Sequence, residues 1–547
     1  MTALHPGLDE VARLAEKLAI EAPVCNINDF AARQAERFGA AIALDYFQLG
    51  EQLSYEALHR RSNRVAANLL ALGYRKGTHI AVMLNHGPAS ALVWFAIQKI
   101  GAIIVPVNTA YQGKELDYIL NQSDAQTLII DEVFLSRLED MKERPECLGD
   151  PHVVRREHLG ALEVGGDLDV FDPGYTVAGT DLANLQYTSG TTGFPKGCML
   201  TQNYWLKLAG IIGVNLQDHG CARMLIWAPF FYMDGQWTLL AAMEMGGTAV
   251  VASKMSLSKF LDWIGDNQID YCMMPEPIMK LVEARPEDRD LPLKYIQTFG
   301  WRPSARAEAE VRFDAICRDA FGMTEVGLAM ICPEASGEKL EQNICGVVAP
   351  GRETRVVDEA GRECAPGEPG ELQIRGDAIM LGYYRRPEAN QAAFDGDWFR
   401  SGDLFIKDAE GFHRIVGRLK DMIKRSGENI SASEVEAAMR DAPQISEAAV
   451  IGVADDLRKE EVMVLVKRTE GVSPEEFGAA EVSAHSKILA AFKRPRYIGF
   501  VDEFPRTASN KIAKSRIAIE HIAGDVVDTL QEATVAEPRL KALLPAS

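Results

Sequence analysis

Between Tyr187 and Leu200 the chain reads YTSGTTGFPKGCML, which gathers Thr188, Ser189, Gly190, Thr191, Thr192, Gly193 and Lys196 into one stretch. Glycines let a backbone turn its N–H groups onto phosphate oxygens, hydroxyls add donors, and a lysine neutralises charge, so these residue types suit a nucleoside triphosphate. The spacing departs from the common phosphate loop, which needs Gly, four residues, then Gly-Lys-Ser/Thr. Here Phe194 and Pro195 separate Gly193 from Lys196, and Gly197 follows the lysine. A phosphate loop of another kind is the chemical reading, and a flexible Gly/Ser/Thr connection is the plain alternative.

The elements around this loop alternate. Ser54 caps a helix whose apolar face is Leu58, Val65, Leu69 and Leu72, with Gly73 as its stop. A strand over 80–84, a helix ending at Ile100, and strands over 103–107 and 127–130 follow, the order of βαβ units around a buried parallel sheet. The rhythm returns after the loop with strands at 248–251, 271–274 and 295–299 and a helix at 257–264. From Asn343 to Gly376, short Val/Ile runs broken by DEAG and PGEPG predict the hairpins of a smaller β unit. Ser431 and Glu434 form a capping box for the next helix. The fold expected is α/β: a large N-terminal domain, 1–419, of two α/β sheets plus a β unit, then an α+β C-terminal domain, 420–547.

Composition sets limits. A chain of 547 residues exceeds one usual core. A formal net charge of −20 argues against a general nucleic-acid binder or an anionic-membrane binder. The first residues predict an amphipathic helix rather than a signal peptide, and no apolar run reaches spanning length. Nine cysteines without metal-ligand spacing read as reduced thiols, so a soluble, cytoplasmic protein is expected.

Four further strings join the loop: FGMTEVG from Phe321, WFRSGDL from Trp398, GRLKDMIKRSGENIS from Gly417 and PRTASNK ending at Lys511. In this order they resemble the acyl-adenylate-forming superfamily of acyl-CoA synthetases, firefly-type luciferases and peptide-synthetase adenylation domains. The resemblance implies a mobile C-terminal domain over the site and two half-reactions: a carboxylate attacks ATP to give acyl-AMP and pyrophosphate, then a thiol displaces AMP. Coenzyme A is the thiol expected, because no carrier domain follows Lys511; a free-standing adenylation enzyme loading a carrier protein is the alternative. The partners implied are small molecules: a carboxylic acid, ATP and CoA. The oligomer stays open, a homodimer included.

By position in those motifs, the loop from Thr188 to Lys196 would hold the β- and γ-phosphates, Thr324 the α-phosphate and Glu325 the Mg²⁺. Phe321, where the family commonly has tyrosine, would stack on adenine. Asp403 would accept from the ribose hydroxyls, with Arg418 beside them, although Asp403 taken alone reads as a turn residue. Lys511 would bridge carboxylate and α-phosphate in adenylation; Asn510 before it replaces the usual glycine. Lys420 falls at the family's hinge, and Ser426, Gly427 and Glu428 would then face the thiol.

The acyl pocket is less legible. Tyr232 and Asp234 stand where relatives often have histidine and asparagine, and Trp301 follows Gly300 where small residues are usual. Trp301 either shortens the pocket or points away and is structural. Tyr232, Trp237 and Asp234 would suit a quaternary ammonium group. Betaine-type, short-chain, aryl and polycyclic acids all remain open.

Overall fold

The computed structural model describes residues 5–20, 25–142, 144–155, 158–188, 195–425, 428–455, 457–507, 511–531 and 533–544. Three sheets are built from them. The first has six strands in the order His152–Val154, Thr127–Asp131, His79–Met83, Ile103–Pro106, Leu182–Thr188 and Lys196–Thr201. Neighbours are parallel until the last pair, where Leu182–Thr188 and Lys196–Thr201 run antiparallel. The sheet is therefore mixed rather than wholly parallel, and the antiparallel hairpin is the one formed by the strands that precede and follow residues 189–194 in the sequence.

The second sheet has 14 strands. Its parallel part runs from Ile42–Tyr46 through Thr248–Val251, Arg223–Ile226, Tyr271–Met273 and Tyr295–Thr298 to Ile316–Met323. There it turns antiparallel, through Gly327–Ile331, Ile344–Val348 and His413–Arg418 to Trp398–Lys407. The expected β unit is thus continuous with the second α/β sheet. The junction strand, Ile316–Met323, leads into Thr324 and Glu325.

Local signals hold where they rest on capping. Ser54 Oγ accepts from Ala57 N at the start of helix Tyr55–Ala71, and Ser431 Oγ accepts from Glu434 N at the start of Ala432–Arg440, but the expected capping box is only half made, since Glu434 Oε1 pairs with Lys493 Nζ at 2.6 Å. Leu58, Val65 and Leu69 are buried, but Leu72, the C-cap, is 46% exposed. The helix face ends one residue early because the chain turns at Gly73, where φ is +96°. The third sheet starts at Met422–Arg425, pairs with no strand of the other two among the described residues, and covers its own core around Ile423, Val435, Val464 and Ile498. Among the described residues no helix is long and apolar enough to cross a membrane.

Candidate active site

A cavity of about 2440 Å³ opens between the junction strand, the phosphate-loop hairpin and the C-terminal segment. Thr188 and Lys196 face each other across the hairpin, with Thr188 Oγ1 donating to Lys196 O at 3.4 Å, and both line the cavity. Ser189, Gly190, Thr191, Thr192 and Gly193 lie outside the described residues. Thr324 and Glu325 line the same cavity. Tyr204 Oη donates to Thr324 O at 3.0 Å, which fixes that turn from the helix Gln202–Asp218.

Glu325 is buried, and its Oε1 accepts from Tyr383 Oη at 2.9 Å. Burial, then the Glu325 charge, pushes the Tyr383 phenol well above its ordinary range, so it remains a donor. Its ring also lies under Lys196 Nζ, 4.2 Å from the centroid. Tyr383 was not singled out from the sequence. The signal available was the run Gly382-Tyr383-Tyr384-Arg385-Arg386-Pro387, a turn glycine followed by an aromatic pair.

Asp403 sits in Trp398–Lys407 opposite Arg418, whose Nε is 2.6 Å from Oδ1. It is 1% exposed, and apart from the Arg418 ion contact its carboxylate oxygens have no hydrogen-bond partner among the described residues. Burial raises its pKa to about 6, against the pull of the Arg418 and Lys511 charges. Its neighbours Ser401 and Gly402, and Arg418 itself, form the cavity wall above it. A buried carboxylate with acceptor capacity left beyond one ion contact is what a ribose diol would satisfy. Phe321 packs edge-on against Phe405 at 4.9 Å, while Ala320, Gly322 and Met323 line the cavity.

Lys511 is exposed and lines the cavity, with its backbone N donating to Thr507 Oγ1 at 3.2 Å. Its positive charge acts on both Asp403 and Asp234. Lys420 lies in the 3₁₀ turn Leu419–Asp421 on the cavity edge; partial burial, then Arg418 and Lys514, lower its pKa against the pull of Asp421. Ser426 and Gly427 lie outside the described residues, as does Asn510; Glu428 is described only as the first residue of a strand. Lys514, also overlooked in the sequence, lines the cavity and pairs with Glu436 at 2.7 Å and Asp421 at 3.6 Å.

Elsewhere on the cavity wall, Tyr232 Oη accepts from Asn108 Nδ2 at 3.3 Å, and Trp237 Nε1 donates to Asp234 Oδ1 at 3.2 Å. Burial raises the Asp234 pKa, partly offset by Trp237 and Lys511. Gly300 and Trp301 are not brought to the cavity. Trp301 is 3% exposed in a core with Ala305, Phe313 and Cys317, and Gly300 N donates to Asp319 Oδ1 at 2.9 Å. Phe299, one residue earlier, does line the cavity.

Comparison with known proteins decides the family. The model described as AMP-binding enzyme matches residues 31–384, and that described as AMP-binding enzyme C-terminal domain matches residues 434–511. The chain belongs to the AMP-binding enzymes. It is similar to the 2-succinylbenzoate–CoA ligase of Bacillus velezensis, 32% identical over 85% of this chain and 93% of that protein. It is also similar to the crotonobetaine/carnitine–CoA ligase of Salmonella arizonae, 30% identical over 85% of this chain and 93% of its relative. The solved structure of o-succinylbenzoate CoA synthetase (MenE) from Bacillus subtilis with ATP and magnesium ion superposes with a TM-score of 0.76 at 25% identity, covering 89% of this chain and 98% of that one. This AMP-binding enzyme is thus an AMP-forming carboxylate–CoA ligase of the acyl-adenylate-forming superfamily.

Proposed function

We propose that the enzyme activates a bulky, apolar carboxylic acid, of aryl or fused-ring type, as acyl-AMP and passes the acyl group to coenzyme A. The observation that carries the nucleotide half is the buried Asp403, met by the Arg418 ion contact alone, beneath a cavity that also receives Thr188, Lys196, Thr324, Glu325 and Lys511. The acyl half rests on one helix face. Leu208, Ile211, Ile212, Asn215 and Leu216 recur at steps of three and four residues and line the cavity. The eight rises from Leu208 to Leu216 give a wall roughly 12 Å long. Trp237, Leu328 and Ile331 oppose it. Leu208, Ile211 and Leu216 are 1–4% exposed and back this wall, so its contact surface is carried by the partly exposed Ile212, Asn215 and Leu328.

In this reading Lys196 and the hairpin flanks receive the outer phosphates, Asp403 accepts from the ribose, and Phe321 supplies an aromatic face for adenine. Glu325 presents one carboxylate oxygen while Tyr383 occupies the other, which fits Mg²⁺, an ion usually bound by one or two carboxylates plus substrate phosphates. Mg²⁺ supplies charge neutralisation on the triphosphate oxygens. Lys511 brings its ammonium to the reacting end, where negative charge grows as carboxylate and phosphate meet. Lys420 is the hinge that withdraws Lys511 for the second step.

A panel of aryl, fused-ring, betaine and short-chain acids, scored for pyrophosphate release and CoA thioester formation, tests this. Higher kcat/KM for acetate or propionate than for the aryl and fused-ring acids would overturn the substrate class.

A further inference from the structure

Residues 380–384 are tied to both sides of the phosphate end. Leu381 N donates to Met199 O and Met199 N to Gly382 O, each at 2.9 Å, and Tyr384 N donates to Gly197 O at 2.8 Å. The segment therefore runs along the strand that begins at Lys196. At its other end Met380 N donates to Glu325 O at 2.8 Å. Asn390 clamps Tyr383 between them: Oδ1 accepts from Tyr383 N at 2.6 Å and Nδ2 donates to Tyr383 O at 2.9 Å. Gly382 makes the clamp feasible, because its φ is +132° and a Cβ there would stand 3.0 Å from Asn390 Oδ1. The result is a side chain, 5% exposed, whose hydroxyl reaches Glu325 and whose ring face carries Lys196.

We propose that Tyr383 is the positioning residue of the phosphate end, aiming the Glu325 carboxylate at the metal and the Lys196 ammonium at the triphosphate. The inference rests on the roles given to Glu325 and Lys196 above. A carboxylate whose one oxygen is fixed by a phenol presents the other at a set angle, and outer partners of this kind are worth about 10- to 100-fold in metal affinity. A lysine held on a ring face has already lost part of its rotamer freedom, so less ordering is needed when phosphate arrives. Tyr383 thus acts through its two neighbours.

The test separates the hydroxyl from the ring. Mn²⁺ is titrated by electron paramagnetic resonance into the enzyme saturated with a non-hydrolysable ATP analogue. Tyr383→Phe is expected to weaken Mn²⁺ about tenfold while leaving metal-free affinity for the analogue as in wild type. Tyr383→Leu should lower that metal-free affinity as well, by roughly threefold. Adenosine affinity and the melting temperature report on the fold. Wild-type Mn²⁺ affinity in Tyr383→Phe, with loss in Glu325→Gln, would overturn the role of Tyr383 and leave that of Glu325 standing. Wild-type Mn²⁺ affinity in Glu325→Gln would overturn both. A fallen melting temperature with adenosine affinity lost in step would show a merely structural tyrosine and also overturn the proposal.

Discussion

Arg418 Nε lies 2.6 Å from Asp403 Oδ1 where the strands Trp398–Lys407 and His413–Arg418 pair, two residues before Lys420. The buried Asp403 is therefore tied by one short ion contact to the strand end that leads into Lys420. Arg418 is 44% exposed and Asp403 1%, so the arginine can leave while the aspartate cannot.

The raised pKa of Asp403, about 6, gives nucleotide affinity a pH dependence. Ribose hydroxyls donate to the ionised form, so affinity rises with pH through about 6 and levels off above it. Adenosine has no phosphate to confuse the titration, and it should bind about tenfold more weakly at pH 5 than at pH 7.5. Stability runs the other way. The folded pKa lies above the ordinary 3.8, so the folded state holds the proton more tightly, and stability declines between about pH 4 and 6. Asp403→Asn should flatten the adenosine profile and, above pH 6, stabilise the free enzyme by on the order of 2 kcal/mol. A steep profile retained in Asp403→Asn would move the ribose site elsewhere.

Lys511 is expected to serve only the first half-reaction. Lys511→Ala should lower acyl-AMP formation by roughly 10²- to 10³-fold, the usual cost of losing a preorganised charge at the transition state. Thioester formation from supplied acyl-AMP should change far less. Its side chain is exposed, which makes a folding defect a poor explanation. Rapid-quench measurement of each half-reaction checks this, and equal losses in both would refute the separation.

How much was legible beforehand followed the range of the interactions. Caps at Ser54 and Ser431 are local, and the sequence shows them directly. Thr188, Lys196, Glu325 and Lys511 were picked out from short strings, and folding brings them to one cavity. Tyr383 was not, since its partner Glu325 is 58 positions away and a tyrosine in a turn carries no mark of what it will touch. The continuity of the second sheet was hidden for a similar reason. It depends on Ile316–Met323 pairing in parallel on one edge and antiparallel on the other, which no local pattern specifies.

Trp301 shows the same limit in reverse. Beside Gly300 it reads equally well as a pocket wall or a packing residue, and folding places it against Ala305, Phe313 and Cys317. Trp301→Ala should therefore cost about 3–5 kcal/mol of stability and leave the ranking of carboxylic acids unaltered. Thermal unfolding and the acid panel measure the two effects separately. A shift in ranking toward longer acids at unchanged stability would return Trp301 to the pocket.

The hinge gives the last prediction. Lys420 occupies the turn Leu419–Asp421, and the next sheet begins at Met422. A 3₁₀ turn has φ near −50 to −70°, which proline at about −65° matches. Lys420→Pro therefore suits the backbone of this pose but forbids a large change of φ. The cost falls on Leu419, because proline disfavours helical angles in the residue before it. Adenylation should drop by less than about tenfold, while thioester formation from supplied acyl-AMP, which requires Lys511 to leave, should drop by a hundredfold or more. The interdomain contact of Arg302 with Asp441 does not rival this effect, since both groups are partly exposed and such pairs contribute about 1 kcal/mol or less. Local misfolding would instead lower the melting temperature and both half-reactions together. A variant of normal stability that forms thioester at the wild-type rate would show that the swing does not pass through Lys420.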